Sequence, residues 1–583
     1  LDLETAHAAE SVDYLAPALP EGGAAAVGTA FEQIGEVHRL VLSGEARTVP
    51  LSRSYDTPVV LAQGASFYGP DPVTVRLLDV AADSVSLRLQ EPNYLDDWHV
   101  DEEVTLLVIE AGRHVLADGT RLEAGIHTTD RLTSAGYDRL RFDAAFDAPP
   151  VLLSTVMTRG GPDWVVTRHE AVGARGFGLA MQEEEALNGG IHTTEQVGWL
   201  AIEAGRGAWS GLDWEAGTAS GVTSDGARHA FGAPFDAPPA VVANLATPFG
   251  VDPATPRLSG IDAAGFTAWA QEEASLDAEV DHVAERLDYV AFSGAGVLSG
   301  VPRPPVIAEA GTLGLTHVPV TIELGHSFEN PVAFAFATTA NGGQPATVRV
   351  ESLGPDRLSL AMQEPVWLDG LHAPEQVTWL VVEQGAWRLA DGRLIEAGAA
   401  TVEARGRPGL TDVAFSAPFD AAPVTLAQVQ ALPEPDFLDT RQEGARPAGF
   451  RVTVEGEEAR NALPQPPQEV GWLAMESGAG LWEAEDGGTP LSAGTTGQIV
   501  TDAPARLDLA GPFDAAPLLL AGMTSYYGDN PSVLRASGLD ASGAELRVQE
   551  DQSADAETAH IAETVGFVGL GGAGLLLGEP WAG

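Results

Sequence analysis

An arginine, a glutamate, a histidine and a second glutamate recur in one order along this chain. The sets are Arg76/Glu91/His99/Glu102, Arg168/Glu183/His192/Glu195, Arg257/Glu272/His282/Glu285, Arg349/Glu364/His372/Glu375 and Arg535/Glu550/His560/Glu563. Imidazole beside two carboxylates could hold Zn²⁺ or another transition metal. The same groups could instead form a hydrogen-bonded polar cluster, with Arg pairing to Glu across strands and His tying down an acidic loop. One further copy separates the two. Around Arg441 and Glu455, the places of the histidine and second glutamate are taken by Gln465 and Gln468. An amide keeps the hydrogen-bonding capacity but is a poor transition-metal ligand. The balance favours the structural cluster, with bound metal the minority alternative.

Other chemistry has little to stand on. There is no Gly-x-Ser-x-Gly elbow, no His-Glu-x-x-His and no glycine-rich phosphate loop. Cys and Lys are both absent, which excludes thiol catalysis, thiolate metal sites, Schiff bases and a P-loop lysine. With 83 Asp plus Glu, carboxylate pairs arise by chance, so none marks a catalytic dyad, and no enzyme is expected. The formal charge of −52 argues against a nucleic-acid partner. No apolar run approaches ~18 residues, so no membrane insertion is expected. The loops at Asp71, Asp252 and Asp529 read first as turns and lack the ligand spacing of an EF-hand; calcium is the one cofactor left open. Trp164, Trp209 and Trp482 could stack on sugars, but core packing is the simpler use of such side chains.

The elements that position these residues are themselves repeated. Phe146-Asp-Ala-Pro-Pro150 returns at Phe235–Pro239 and, as Phe-Asp-Ala-Ala-Pro, at Phe419–Pro423 and Phe513–Pro517. Looser versions are Tyr55-Asp-Thr-Pro58 and Phe328-Glu-Asn-Pro331. An apolar run follows each, then a Gly/Pro loop, then the arginine. Arg76, Arg168, Arg257, Arg349, Arg441 and Arg535 are spaced by 92, 89, 92, 92 and 94 residues. The next strand ends in Gln-Glu (Gln90-Glu91, Gln182-Glu183), and His-x-x-Glu leads into a last apolar strand such as Val197–Ile202. Short β-branched and aromatic runs between turn residues, with no sustained 3.6 period, indicate an all-β chain. The expected fold is six tandem antiparallel β-sandwich modules of about 92 residues.

A longer period lies on top. The first and fourth modules share Leu-Ala-Asp-Gly at 116–119 and 389–392, an Asp-Gly hairpin signal. The second and fifth share Gly-Trp-Leu-Ala with an outlying Trp209 or Trp482, and the third and sixth lack the closing Glu-x-Gly of Glu110, Glu203, Glu383 and Glu476. The order is therefore 1-2-3-1-2-3, divided as 28–125, 126–217, 218–300, 301–398, 399–494 and 495–583. Residues 4–12 match 557–565 closely, so 1–19 read as the tail of an incomplete module and 20–27 as a linker. Such a stump implies either a longer repetitive protein or strand addition to a neighbour.

From Phe-Asp-Ala-Pro-Pro through Gly176-Phe177 to Val-Gly-Trp-Leu-Ala at 197–201, and again at 419–423, 449–450 and 470–474, each module resembles an H-type lectin domain. The resemblance implies a six-stranded sandwich, threefold assembly and affinity for N-acetylgalactosamine-type sugars; it assigns no binding residue here. It also implies that a 1-2-3 triplet could be a covalent pseudo-trimer. The function expected is a non-enzymatic extracellular or cell-surface repeat protein: a structural subunit of a filament, stalk or surface layer, or an adhesin segment. The alternative is a multivalent carbohydrate-binding lectin. Partners would be copies of itself, neighbouring modules of a longer chain, or surface glycans. Modules docked in a row through Pro-rich joints would reach roughly 190 Å.

Overall fold

Turn residues cut the chain into short apolar runs, and in the computed structural model nearly every run is an antiparallel strand. The structure describes residues 31–583, except 190–191, 403–404, 431–436, 462–465, 486, 512 and 582–583. The expected stump at 1–19, the linker at 20–27 and Gln465 lie outside the described residues.

The first unit shows the pattern. Its strands are β1 (Glu32–Leu42), β2 (Arg47–Pro50), β3 (Pro58–Gly64), β4 (Thr74–Ala81), β5 (Ser84–Gln90) and β6 (Glu102–Glu110). An inner sheet runs β1–β6–β3 and an outer sheet β2–β5–β4, all antiparallel. The same pairing recurs from the first strands Arg121–Thr129, Leu212–Val222, Val306–Leu315, Leu394–Val402 and Gly487–Val500. The all-β sandwich expected from the turn spacing is the fold.

The joints differ from expectation. After β6 the chain continues as a short arm, β7 (Gly112–Val115), which turns at Asp118-Gly119 and pairs with the first strand of the next unit. Gly112 and Gly119 take φ of 111° and 89°, conformations open to glycine at little cost. Within each set of three, units are thus joined by hydrogen-bonded hairpins, whereas the third unit passes to the fourth through Pro304-Pro305. The boundaries 125/126, 217/218, 300/301, 398/399 and 494/495 each fall inside a strand. Those strands are Arg121–Thr129, Leu212–Val222, Gly296–Arg303, Leu394–Val402 and Gly487–Val500.

Nor do the units form an open row. The third unit's arm, Gly296–Arg303, returns to pair with β1, and the sixth unit's arm, Gly574–Leu577, returns to Val306–Leu315. Units one to three close into a ring, and units four to six close into another. The two rings meet through Arg303–Glu483 at 2.9 Å, Arg113 with Glu485, and Arg141 with Asp356.

Ring closure explains why the inner strands are apolar at consecutive positions. Along β6, Val104, Leu106 and Val108 face the unit's own outer sheet, while Leu107 and Ile109 face a core shared with Leu153, Leu200, Val242, Val290 and Phe292 of the other two units. Successive side chains of a strand point to opposite faces, and here both faces are buried. The free edges of the inner sheets are satisfied by neighbours' side chains. Leu152 N–H donates to Asp288 Oδ2 at 2.9 Å, Ser154 N–H to Asn244 Oδ1 at 2.9 Å and Ala333 N–H to Gln430 Oε1 at 2.9 Å. An edge so covered cannot recruit a foreign strand.

Glycines on the first strands lie beneath the aromatic residue of the last strand. A Cβ on Gly125, Gly311 or Gly398 would stand 2.5–2.6 Å from the ring of Trp199, Trp379 or Trp472. Three residues further along, Gly314 has open space around it. Gly311→Ala should therefore lower the urea midpoint by the equivalent of about 1–3 kcal/mol. Gly314→Ala in the same strand should leave the midpoint unchanged or raise it slightly, by up to about 1 kcal/mol.

Candidate functional site: a charged clasp between units

Arg76 sits mid-strand on β4, Glu91 just past β5, His99 in the acidic loop and Glu102 at the start of β6. Glu102 is anchored first by the loop after β3, accepting the Tyr68 and Gly69 N–H groups at 2.9 and 3.2 Å and the Ser66 hydroxyl. His99 bridges the two carboxylates, with Nδ1 2.9 Å from Glu91 and Nε2 3.2 Å from Glu102. The bridge repeats as His192 between Glu183 and Glu195, His282 between Glu272 and Glu285, His372 between Glu364 and Glu375, and His560 between Glu550 and Glu563. In each set the histidine of the acidic loop thus contacts both carboxylates of its own unit.

The arginine goes elsewhere. Expected to pair with a glutamate across strands, Arg76 donates to Glu195 of the next unit at 2.8 Å. Arg168 reaches Glu285 at 2.6 Å and Arg257 returns to Glu102 at 3.1 Å, completing the circle. In the second ring Arg441 reaches Glu563 at 2.6 Å and Arg535 reaches Glu375 at 3.1 Å. The remaining arginine, Arg349, would face the fifth unit, where Gln468 replaces the glutamate. It lies 3.3 Å from Glu351 on its own strand. Freed of a histidine, Glu455 takes Arg441 at 3.2 Å and the Tyr526 hydroxyl.

The pairs are fully desolvated. Arg76, Arg168 and Arg441 expose 0–1% of their surface, and the glutamates they meet no more than 2%. Burial alone would raise those carboxyls. Hydrogen bonds from histidine, hydroxyl and backbone N–H groups, with the guanidinium in three of the four, instead hold Glu102, Glu195, Glu285 and Glu563 down at about 2. Burial works to lower His99 and His192, yet their two carboxylate partners raise both, as suits an imidazolium donating from each nitrogen.

The Gln of the Gln-Glu pairs at 90, 182, 271 and 549, which sequence reasoning left without a role, crosses the same seam. Gln90 donates to Pro162 O at 2.8 Å, Gln182 to Val251 O at 3.0 Å and Gln271 to Pro70 O at 2.7 Å. Adjacent strand residues point to opposite faces, so the dipeptide serves the neighbour with Gln and its own histidine with Glu.

This geometry suits clasping. Each bridging histidine has both ring nitrogens on carboxylates, and in all five sets an arginine already neutralises the second glutamate. Ser154 Oγ lies 2.7 Å from His169 Nε2, but both are buried and His169 Nδ1 has no acid behind it. Trp164, Trp209 and Trp482 are 0–2% exposed, which removes them as sugar platforms. Trp209 and Trp482 instead donate their indole N–H to Ser299 O and Leu577 O of the following unit's arm, at 2.9 and 3.0 Å.

No family model matches the chain, and no solved structure matches it. The sequence is similar to halomucin of Haloquadratum walsbyi, 28% identical over 264 residues. That stretch is 44% of this chain and 3% of halomucin, so the chain spans a small part of its relative's length. Among the described residues, no helix is long and apolar enough to cross a membrane.

Breaking one clasp should be severe. Glu285→Gln leaves Arg168 buried without a counter-charge and should cost about 3–5 kcal/mol, read as a lowered urea midpoint. The loss should depend on pH. A carboxyl held at about 2 when folded, against ~4.3 when unfolded, stabilises fully above the ordinary carboxyl range. That contribution drains away as the pH falls through 4 toward 2. The gap between wild type and Glu285→Gln should therefore narrow between pH 6 and pH 3; a constant gap would contradict the assignment.

Proposed function

We propose that the chain is a non-enzymatic, extracellular or cell-surface building element, made of closed rings of β-sandwiches strung along a longer polypeptide. The observation that carries this is the circular order of Arg76–Glu195, Arg168–Glu285 and Arg257–Glu102, each pair buried between units. A contact network of this kind serves mechanical integrity, because no unit can leave the ring without exposing an unpaired charge. Similarity to halomucin, a protein whose name places it among mucins, supports the same role for a segment of a far longer chain. The acid-rich exterior keeps such particles apart, and in concentrated salt its self-repulsion is screened within a few ångströms. Partners on this reading are neighbouring repeats or further copies.

One observation favours a second reading, the multivalent lectin. Tyr68, Phe249 and Tyr527 occupy the same loop position, just before the glycine that caps the clasp glutamate, and are 66%, 66% and 51% exposed. Beside Tyr68, an open cleft of about 810 Å³ between the first and third units is lined by Arg39, Arg47, Phe67 and Pro238. Exposed rings at repeated positions can stack on sugars, and the threefold closure agrees with an H-type lectin-like assembly.

Two measurements separate these proposals. Small-angle scattering of the full chain should give a compact two-lobed particle well short of the ~190 Å of an open row of this size; a rod of that length would remove the ring. A glycan array should show no binding at millimolar sugar if the role is structural. Binding that disappears in Tyr68→Ala/Phe249→Ala/Tyr527→Ala would establish the lectin instead.

A further inference from the structure

We propose that the seam between the second and third units holds a calcium ion on Asp252, Glu272 and Glu279. Among the described residues these three carboxylates form the one set of potential metal ligands whose oxygens all lie within 4.8 Å of one another. Glu272 is the informative member. It is 5% exposed, its Oε1 is taken by His282, and its Oε2 is buried without any partner. A buried carboxylate oxygen left unsatisfied is costly, and a cation beside Asp252 and Glu279 would satisfy it.

The repeat supplies an independent comparison. The equivalent oxygen is also orphaned in Glu91, Glu364 and Glu550, but not in Glu183 or Glu455 among the described residues. The four units with the orphan have an acid three residues before the histidine: Asp96, Glu279, Asp369 and Glu557. The second unit has Gly189 there, and the fifth has no histidine. Orphan oxygen and second acid therefore occur together. The third ligand comes from the Gly-x-Asp loop, where units four and six substitute Gln344 and Asn530 for Asp252. Unit one keeps all three acids as Asp71, Glu91 and Asp96, set wider than in unit three.

The donor set selects the ion. All ligands are carboxylate oxygens, one of them on an exposed loop, which suits the 6–8 flexible oxygen contacts of Ca²⁺ better than the rigid octahedron of Mg²⁺ or a metal seeking nitrogen and sulfur. The surroundings add negative charge from across the seam: Glu185 of the second unit lies in the field of Asp252, Asp277, Glu272 and Glu273. The same Glu272 steadies His282, which holds Glu285 for Arg168. Calcium would therefore brace the clasp between units two and three.

Equilibrium dialysis of the full chain against CaCl₂ in molar NaCl, with bound calcium counted by atomic emission, tests this. The salt suppresses diffuse binding to the acidic surface. Asp252→Asn/Glu279→Gln should bind one calcium fewer than wild type, whereas the exposed control Asp508→Asn/Asp514→Asn, with the same charge change, should bind the same number. Thermal melting gives a second reading. Calcium should raise the midpoint of wild type and control, and Asp252→Asn/Glu279→Gln should lose that shift while keeping its β-sheet circular dichroism. Equal stoichiometry and equal shifts in all three proteins would overturn the site.

Discussion

Everything in this architecture depends on a guanidinium and a carboxylate that meet, dry, across a boundary between two sandwiches. Such a pair contributes little net stability, because taking both ions out of water costs about as much as their attraction returns. Its effect is to forbid alternatives. Glu195 is already fixed by backbone N–H groups and a histidine before Arg76 arrives, so the arginine has one place to go. Repeated around three units, that requirement selects a closed ring over any open chain of modules.

The apolar part of the structure meets the same constraint from the other side. Inner sheets with two buried faces need partners on both, and one sandwich can cover only one of them. The shared core of Leu107, Leu153, Leu200, Val242 and Phe292 exists because three inner sheets meet there. Arms such as β7 then turn those contacts into continuous antiparallel pairing. Charge is sorted accordingly: five of the six recurring arginines are buried with their glutamates, and the surplus of acid stays outside.

Much of this was legible in the residues. Phe-Asp-Ala-Pro-Pro, Gly-Phe and the Asp-Gly turn at 118–119 report local geometry, and a sandwich of short antiparallel strands follows from them. The histidine bridge was also legible, because His99 lies only eight residues from Glu91 and three from Glu102. The partner of Arg76 was not. Glu91, Glu102 and Glu195 are equally good acids in a repeated sequence, and identical units make a contact within a module indistinguishable from one between modules. The expected boundaries cut strands for a related reason. A hairpin joint has the same turn residues as a hairpin inside a module, so punctuation alone cannot separate them. Trp209 read as an outlier because the arm strand carrying it is short; its burial comes from the core shared by the three units, where it meets Trp214 and Phe292 of the third.

The sequence by itself therefore determined the period, the all-β class, the order of strands within a unit and the chemistry of the recurring cluster. Each of these rests on backbone conformations and side-chain alternation that are settled within a few residues of one another. Tertiary structure alone decided which glutamate each arginine finds, that the third arm returns to the first strand, and that three inner sheets share one core. The clasp pairs and the returning arm are contacts between residues about 120 to 270 positions apart. They form only when burying two faces at once is better than burying one, a comparison that no stretch of sequence makes locally.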